Sequence, residues 1–177
     1  MFQASQSLAE MDLIMLIPEK VSQGKYTADN MLPALRHFIE ARAKALSHGY
    51  ITDNGGAIHS VERILNIFSL RLCYPHISHQ NSLKTCPNAH LSVDAHKARL
   101  AGGKVEIEHV LPQRSFTKVV CDMVDQGATD AKLIDYIKKN FRLVLLTPEE
   151  RRSLDRVNRS KIVANRLQEA GIELFKD

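Results

Sequence analysis

A carboxylate next to an imidazole, Glu108-His109, stands in the run Glu106-Ile107-Glu108-His109-Val110-Leu111-Pro112-Gln113. Apolar residues alternate there with acids and Pro112 closes the run, the pattern of a short strand that carries the pair near its end. Such a pair suits phosphodiester hydrolysis. The carboxylate can hold a divalent cation, and the imidazole, which titrates at about pH 6.5 when unperturbed, can take a proton from water. Hard oxygen ligands such as Glu and Asn select Mg²⁺ or Mn²⁺. A second constellation is Cys73-x2-His76 with Cys86-x3-His90, spaced like a zinc knuckle, with His79 as a spare ligand. Its chemistry would be a structural Zn²⁺; the plainer reading is a buried thiol and surface imidazoles. Gly55-Gly56 reads as a turn, and the chain has no Gly-rich phosphate loop or dinucleotide fingerprint.

The elements that must position these groups follow from periodicity. Leu32, Leu35, Phe38, Ile39 and Ala43 recur at spacings of three and four, which predicts an amphipathic helix over 28–48 stopped by Gly49. Val61, Ile64, Leu65, Phe68 and Leu72 predict a second helix, capped by Ser60 and ended before Pro75. Residues 78–91 lack any period and read as an irregular connection, followed by a short helix over 94–100 and the Gly102-Gly103 stop. After the strand come two helices over 116–125 and 131–139, with Gly127 as stop and Thr129 as N-cap, and then a strand over 142–146. Thr147-Pro148-Glu149-Glu150 opens a helix as a capping box with Pro at the first position, and the pattern runs to about Ala170. On that helix Val157, Val163, Ala164 and Leu167 fall to one side and Asn158 to another. The fold class expected is α+β, with a mostly helical region over 1–100 followed by a strand, helical insert, strand and helix over 101–177.

The 177 residues are 44% hydrophobic and 25% charged, which suits one globular domain or a compact core with a smaller module and excludes collagen-like, coiled-coil and disordered classes. The longest apolar run, residues 13–17, is far below the roughly 20 that span a bilayer, so no membrane partner is expected. Glu10 and Asp12 sit where a secretory leader would be basic, and three cysteines are too few for a disulfide framework, so a reducing, cytoplasmic setting is expected. The net charge of +4 permits a polyanion partner, and seven basic residues against three acids between 140 and 166 concentrate it. With 6% aromatic residues and no Trp, base stacking has little to work with, which favours contacts to a duplex backbone.

Residues 105–113, then Leu-Val-Leu-Leu-Thr at 143–147, then a helix bearing Asn158-Arg159-Ser160-Lys161 together resemble the ββα-metal core of HNH endonucleases. The resemblance covers about residues 104–168 and is similar to the branch whose first strand reads acid, His, two hydrophobes, Pro, Gln. It implies a DNA endonuclease using Mg²⁺ or Mn²⁺, with Glu108 as a metal ligand, His109 as general base, Asn158 as the ligand on the helix and Asn140 as a middle Asn. Arg114, Arg142, Arg159 and Lys161 would then meet phosphates, and the region over 1–100 would position duplex DNA or form a homodimer. Phe141 and Arg142 separate Asn140 from the second strand, and Arg151 and Arg152 occupy the earlier place where a helix ligand often stands. Two alternatives therefore stay open beside the DNA endonuclease: a non-catalytic nucleic-acid-binding or regulatory protein on a degenerate scaffold, and an RNA-cleaving toxin.

Overall fold

The computed structural model describes residues 27–176, so the 13–17 run and the acids at 10 and 12 lie outside the described residues. Helix α1 (Ala28–Ser47) is capped by Thr27, whose hydroxyl accepts the Asn30 N–H, and it buries Met31, Leu32, Leu35 and Ile39. It packs along α2 (Ala57–Cys73), which buries Ile58, Val61, Leu65 and Phe68. The second helix starts before Ser60 because Gly56, at φ +113°, turns the chain directly into it. Only glycine takes that backbone angle without strain.

The irregular connection contains a 3₁₀ helix, Gln80–Thr85, which packs Leu83 inward. Next come α3 (Val93–Leu100), β1 (Glu106–His109), α4 (Gln113–Asp125), α5 (Asp130–Asn140) and β2 (Leu143–Leu146). The insert between the strands is thus the expected pair of helices. Strands β1 and β2 pair antiparallel, with Glu106 opposite Leu146, Ile107 opposite Leu145, Glu108 opposite Val144 and His109 opposite Leu143. Helix α6 (Pro148–Val157) follows and touches both strands. Its capping box is complete: Thr147 Oγ1 accepts the Glu150 N–H at 3.2 Å, and Glu150 Oε2 accepts the Thr147 N–H at 2.8 Å and the Ser92 hydroxyl at 2.6 Å.

All four residues of β2 are buried, and strand alternation divides them between two cores. Leu143 and Leu145 join the larger core, which draws on α1, α2, α4 and α5 and so crosses residue 100. Val144 and Leu146 join Leu154, Leu167 and Ile172 in a smaller one. The sheet is the wall between them.

The last expected helix is shorter than its sequence pattern. It ends at Val157, residues 158–165 are not α-helical, and a single turn, α7 (Arg166–Glu169), follows. Asn158 is therefore the C-cap of α6, with extended backbone at φ −153° and ψ 90°, and not a residue on the helix face. Its Oδ1 accepts the Lys161 N–H at 2.8 Å, a local side-chain to backbone bond that competes with helix continuation. Removing that acceptor with Asn158→Ala is expected to cost about 1 kcal/mol. A urea titration that showed no loss would remove Asn158 from the account of this turn.

Candidate functional site

Neighbouring residues of a strand project to opposite faces, and in β1 this separates the two groups proposed to act together. Glu106 and Glu108 share the face of Leu146 and Val144 and meet α6 and α7. Ile107 and His109 share the face of Leu145 and Leu143 and meet the helices of the larger core. Glu108 is 14% exposed and its Oε1 accepts from Arg166 Nη1 at 3.1 Å and Nη2 at 3.2 Å, while Arg151 Nε lies 3.5 Å from Oε2. Burial pushes the Glu108 carboxyl up from its ordinary value, and Arg166 first, then Arg151, pull against that shift.

Arg166 is 2% exposed and fully engaged. Besides Glu108 it donates to the carbonyls of Asn158 at 2.9 Å, His109 at 2.7 Å and Val110 at 3.4 Å. It ties the end of α6 to the end of β1. Arg151, one of the two residues expected where a helix ligand often stands, pairs instead with Glu106 at 3.1 Å. Lys104 and Arg151 together hold the Glu106 carboxyl below its usual value. Arg152 pairs with Glu149 on the exposed side of α6.

On the other face, His109 Nε2 lies 2.9 Å from Asn66 Oδ1, and its ring meets Phe141 edge-on at 5.6 Å between centroids. Asn66 Nδ2 donates to Gln80 Oε1 at 2.9 Å, which orients the amide so that its oxygen faces His109. The ring proton is thereby assigned to Nε2. Burial, reinforced by the charges of Arg166 and Arg151, depresses the His109 pKa to about 4, so the imidazole is neutral at cellular pH.

As arranged, these donors do not fit Mg²⁺ or Mn²⁺. Glu108 is clamped by two guanidinium groups, His109 faces away from it, the Asn158 amide oxygen is committed to Lys161 N–H, and Asn140 donates its amide to Tyr136 O at 2.8 Å at the end of α5. Of the four expected phosphate-binding cations, Arg159 and Lys161 are exposed on the loop after α6. Arg142 instead donates to the carbonyls of Lys138 and Phe141, closing α5, and Arg114 pairs with Glu62 at 3.1 Å.

The zinc constellation is divided as well. Cys86 Sγ lies 3.9 Å from His76 Nε2, whereas Cys73 reaches Ile137 O at 4.0 Å and shares a hollow of about 370 Å³ with His90. Among the described residues no three His, Cys, Asp or Glu side chains converge for a metal. The spacing along the chain does not carry into space, because Cys73 belongs to the last turn of α2 and packs half-buried against the larger core.

What the spacing missed is a cleft of about 1030 Å³ between α2, the 3₁₀ helix and β1. Arg63, Arg71, Lys84, Lys104 and Arg151 line it against two carboxylates, Glu62 and Glu106, both already paired. His59, His79, Asn66 and Gln80 are also part of its polar lining. Its cations come from four separate segments, so no charge run along the chain announces it; the only signal is that Arg63 and Asn66 lie on the polar side of α2. No family model, curated protein or solved structure matches the chain.

Proposed function

We propose that the protein binds nucleic acid through this cleft, on a strand–strand–helix scaffold whose Glu108 is engaged by arginines in place of a cation. The observation that carries the reading is five cationic side chains against two carboxylates around one concave surface: Lys104 and Arg151 pair with Glu106, Arg114 from outside the cleft pairs with Glu62, and Arg63, Arg71 and Lys84 are left in excess among the described residues. A cleft with an excess of positive charge concentrates a polyanion, and each phosphate neutralised releases condensed counterions. Among the described residues no helix is long and apolar enough to cross a membrane.

The expected result is measured by fluorescence anisotropy with single-stranded and duplex oligonucleotides over a salt series. Affinity falls linearly on a log-log plot, and Arg63→Ala or Lys84→Ala each flattens the slope by about 0.7 on single strands or about 0.9 on duplex. Binding that ignored salt, or variants with unchanged slopes, would overturn the assignment of the cleft.

The order β1, β2, α6 with Glu108-His109 on the first strand favours a second reading, the metal-dependent DNA endonuclease. It requires Arg166 and Arg151 to leave Glu108. Calorimetry with Mg²⁺ and Mn²⁺, with and without duplex DNA, separates the two readings: heat of metal binding with plasmid cleavage supports the endonuclease, and neither leaves the binding protein.

A further inference from the structure

Besides its charge, the cleft carries an imidazole held by a carboxylate. His59, in the first turn of α2, places Nδ1 2.9 Å from Glu62 Oε2. An ionised carboxylate only accepts, so Nδ1 carries a ring proton, and in the neutral imidazole it is Nε2 that keeps the lone pair. Glu62 is 15% exposed and is itself fixed from α4 by Arg114 Nε at 3.1 Å on its other oxygen. Arg114 Nη2 stands 3.4 Å from Nδ1 and 3.3 Å from Nε2 of His59. A group equidistant from both ring nitrogens is off the line of the Nε2 lone pair, so that lone pair stays available. His59 is 63% exposed. This is the geometry of a positioned general base, with a third group orienting the carboxylate.

The rest of the cleft supplies groups that can meet phosphates from two segments, Arg63 on the same helix and His79 and Lys84 on the 3₁₀ segment. Arg63 lies one turn beyond His59. Asn66 lies two turns beyond, about 10 Å along the axis at 1.5 Å per residue, and docks Gln80 beside His79. His79 Nδ1 accepts the Asn81 backbone N–H at 3.1 Å, which leaves Nε2 as a neutral N–H donor. Lys84 stands on the same 3₁₀ helix and lines the same cleft.

We propose that this cleft cleaves single-stranded RNA by a metal-free route with His59 as the general base, an inference that rests on the nucleic-acid-binding reading above. His59 Nε2 takes the proton of a ribose 2′-hydroxyl. The 2′ oxygen forms a bond to the adjacent phosphorus as the bond from phosphorus to the 5′ oxygen breaks. That 5′ oxygen takes a proton from water, and the hydroxide left behind is neutralised by the proton on His59. The products are a 2′,3′-cyclic phosphate and a 5′-hydroxyl, with no net uptake of protons or electrons. Arg63, one turn from His59, stabilises charge on the non-bridging oxygens of the scissile phosphate, and Lys84 and the His79 N–H, farther along the cleft, hold neighbouring phosphates of the strand. The nucleophile is supplied by the substrate, which is why RNA and not DNA is the polymer cleaved. In-line approach of the 2′ oxygen requires a nucleotide free of A-form stacking, which is why the strand is single.

The test uses a 5′-labelled single-stranded RNA and its all-2′-deoxy counterpart, both in excess EDTA with the purified chain. The RNA is expected to be cut to fragments ending in 2′,3′-cyclic phosphate, while the deoxy strand binds and stays intact. His59→Ala, purified in parallel, should slow cleavage by at least about 100-fold, the usual range for a lost general base, with unchanged affinity for the deoxy strand. His37→Ala, in an exposed pair with Glu40 on α1, should leave the rate unchanged. Intact RNA under conditions where the deoxy strand binds would overturn the proposal and leave the binding reading standing, as would full-rate cleavage by His59→Ala. Failure of the deoxy strand to bind would overturn both.

Discussion

Arg166→Ala is expected to destabilise the protein by about 3–5 kcal/mol, the cost of breaking a buried ion pair from one side. The substitution removes the partner that holds Glu108 Oε1 through two nitrogens, and it strips donors from the carbonyls of His109, Val110 and Asn158 in the same step. The Glu108 carboxylate is left 14% exposed with only Arg151 at 3.5 Å to balance it. Because a domain is stable by only about 5–15 kcal/mol in total, this one side chain is a large part of what holds α7 and the end of α6 against the sheet. Urea denaturation gives the loss directly. Adding Glu108→Gln should recover part of it, because the stranded charge disappears, so the double variant should be less destabilised than the sum of the singles. If Arg166→Ala fell within about 1 kcal/mol of the parent, outside the range for a buried pair, the bridge would be a surface contact and not a structural tie.

The second large effect is on pH dependence, and it comes from the other face of the same strand. His109 has its pKa depressed to about 4 in the folded chain, against about 6.5 when unfolded. Between those values the unfolded chain binds a proton that the folded chain refuses, so stability rises with pH through the window and is lost as pH falls through it. The full displacement corresponds to about 3 kcal/mol at 1.36 kcal/mol for each pKa unit. His109→Gln cannot titrate and keeps a donor for Asn66 Oδ1. The parent should therefore lose about 3 kcal/mol more than this variant between pH 6.5 and pH 4. The raised carboxyl of Glu108 acts in the opposite sense on acidification but is common to both proteins, so it leaves the comparison unchanged. Matching acid limbs for the two proteins would show that His109 is accessible and not held neutral by burial.

Both predictions concern residues that adjoin in sequence and are divided in space, and that division marks the limit of the sequence reading. The element order was legible because it rests on local signals. Periodic apolar residues specify α1 and α2 whatever they pack against, and the Thr147 box satisfies its own backbone donors within four residues. The strand over Glu106–His109, its buried partner over Leu143–Leu146 and the helical insert between them follow from alternation and turn chemistry of the same local kind. The end of α6 is not visible in the local pattern because Asn158 is only a weak breaker by propensity. It stops the helix through a bond to Lys161 N–H and through Arg166, eight residues on, drawing its carbonyl.

Helices α1 to α5, the start of α6, the two strands, their order and the Glu-His pair on the first of them are legible along the chain, since those depend on residues within a few positions of one another. Which face each member of that pair meets was decided only by the tertiary structure. Strand alternation sends Glu108 to Arg166 and Arg151 and sends His109 to Asn66 and Phe141. The same holds for the cleft. Arg63, Arg71, Lys84, Lys104 and Arg151 are spread over nearly half the chain and meet only because α2, the 3₁₀ helix and β1 pack around one hollow. Local periodicity says which side of an element is polar. The partner that side will face is set by the packing of the whole core, whose contacts join residues far apart in the chain.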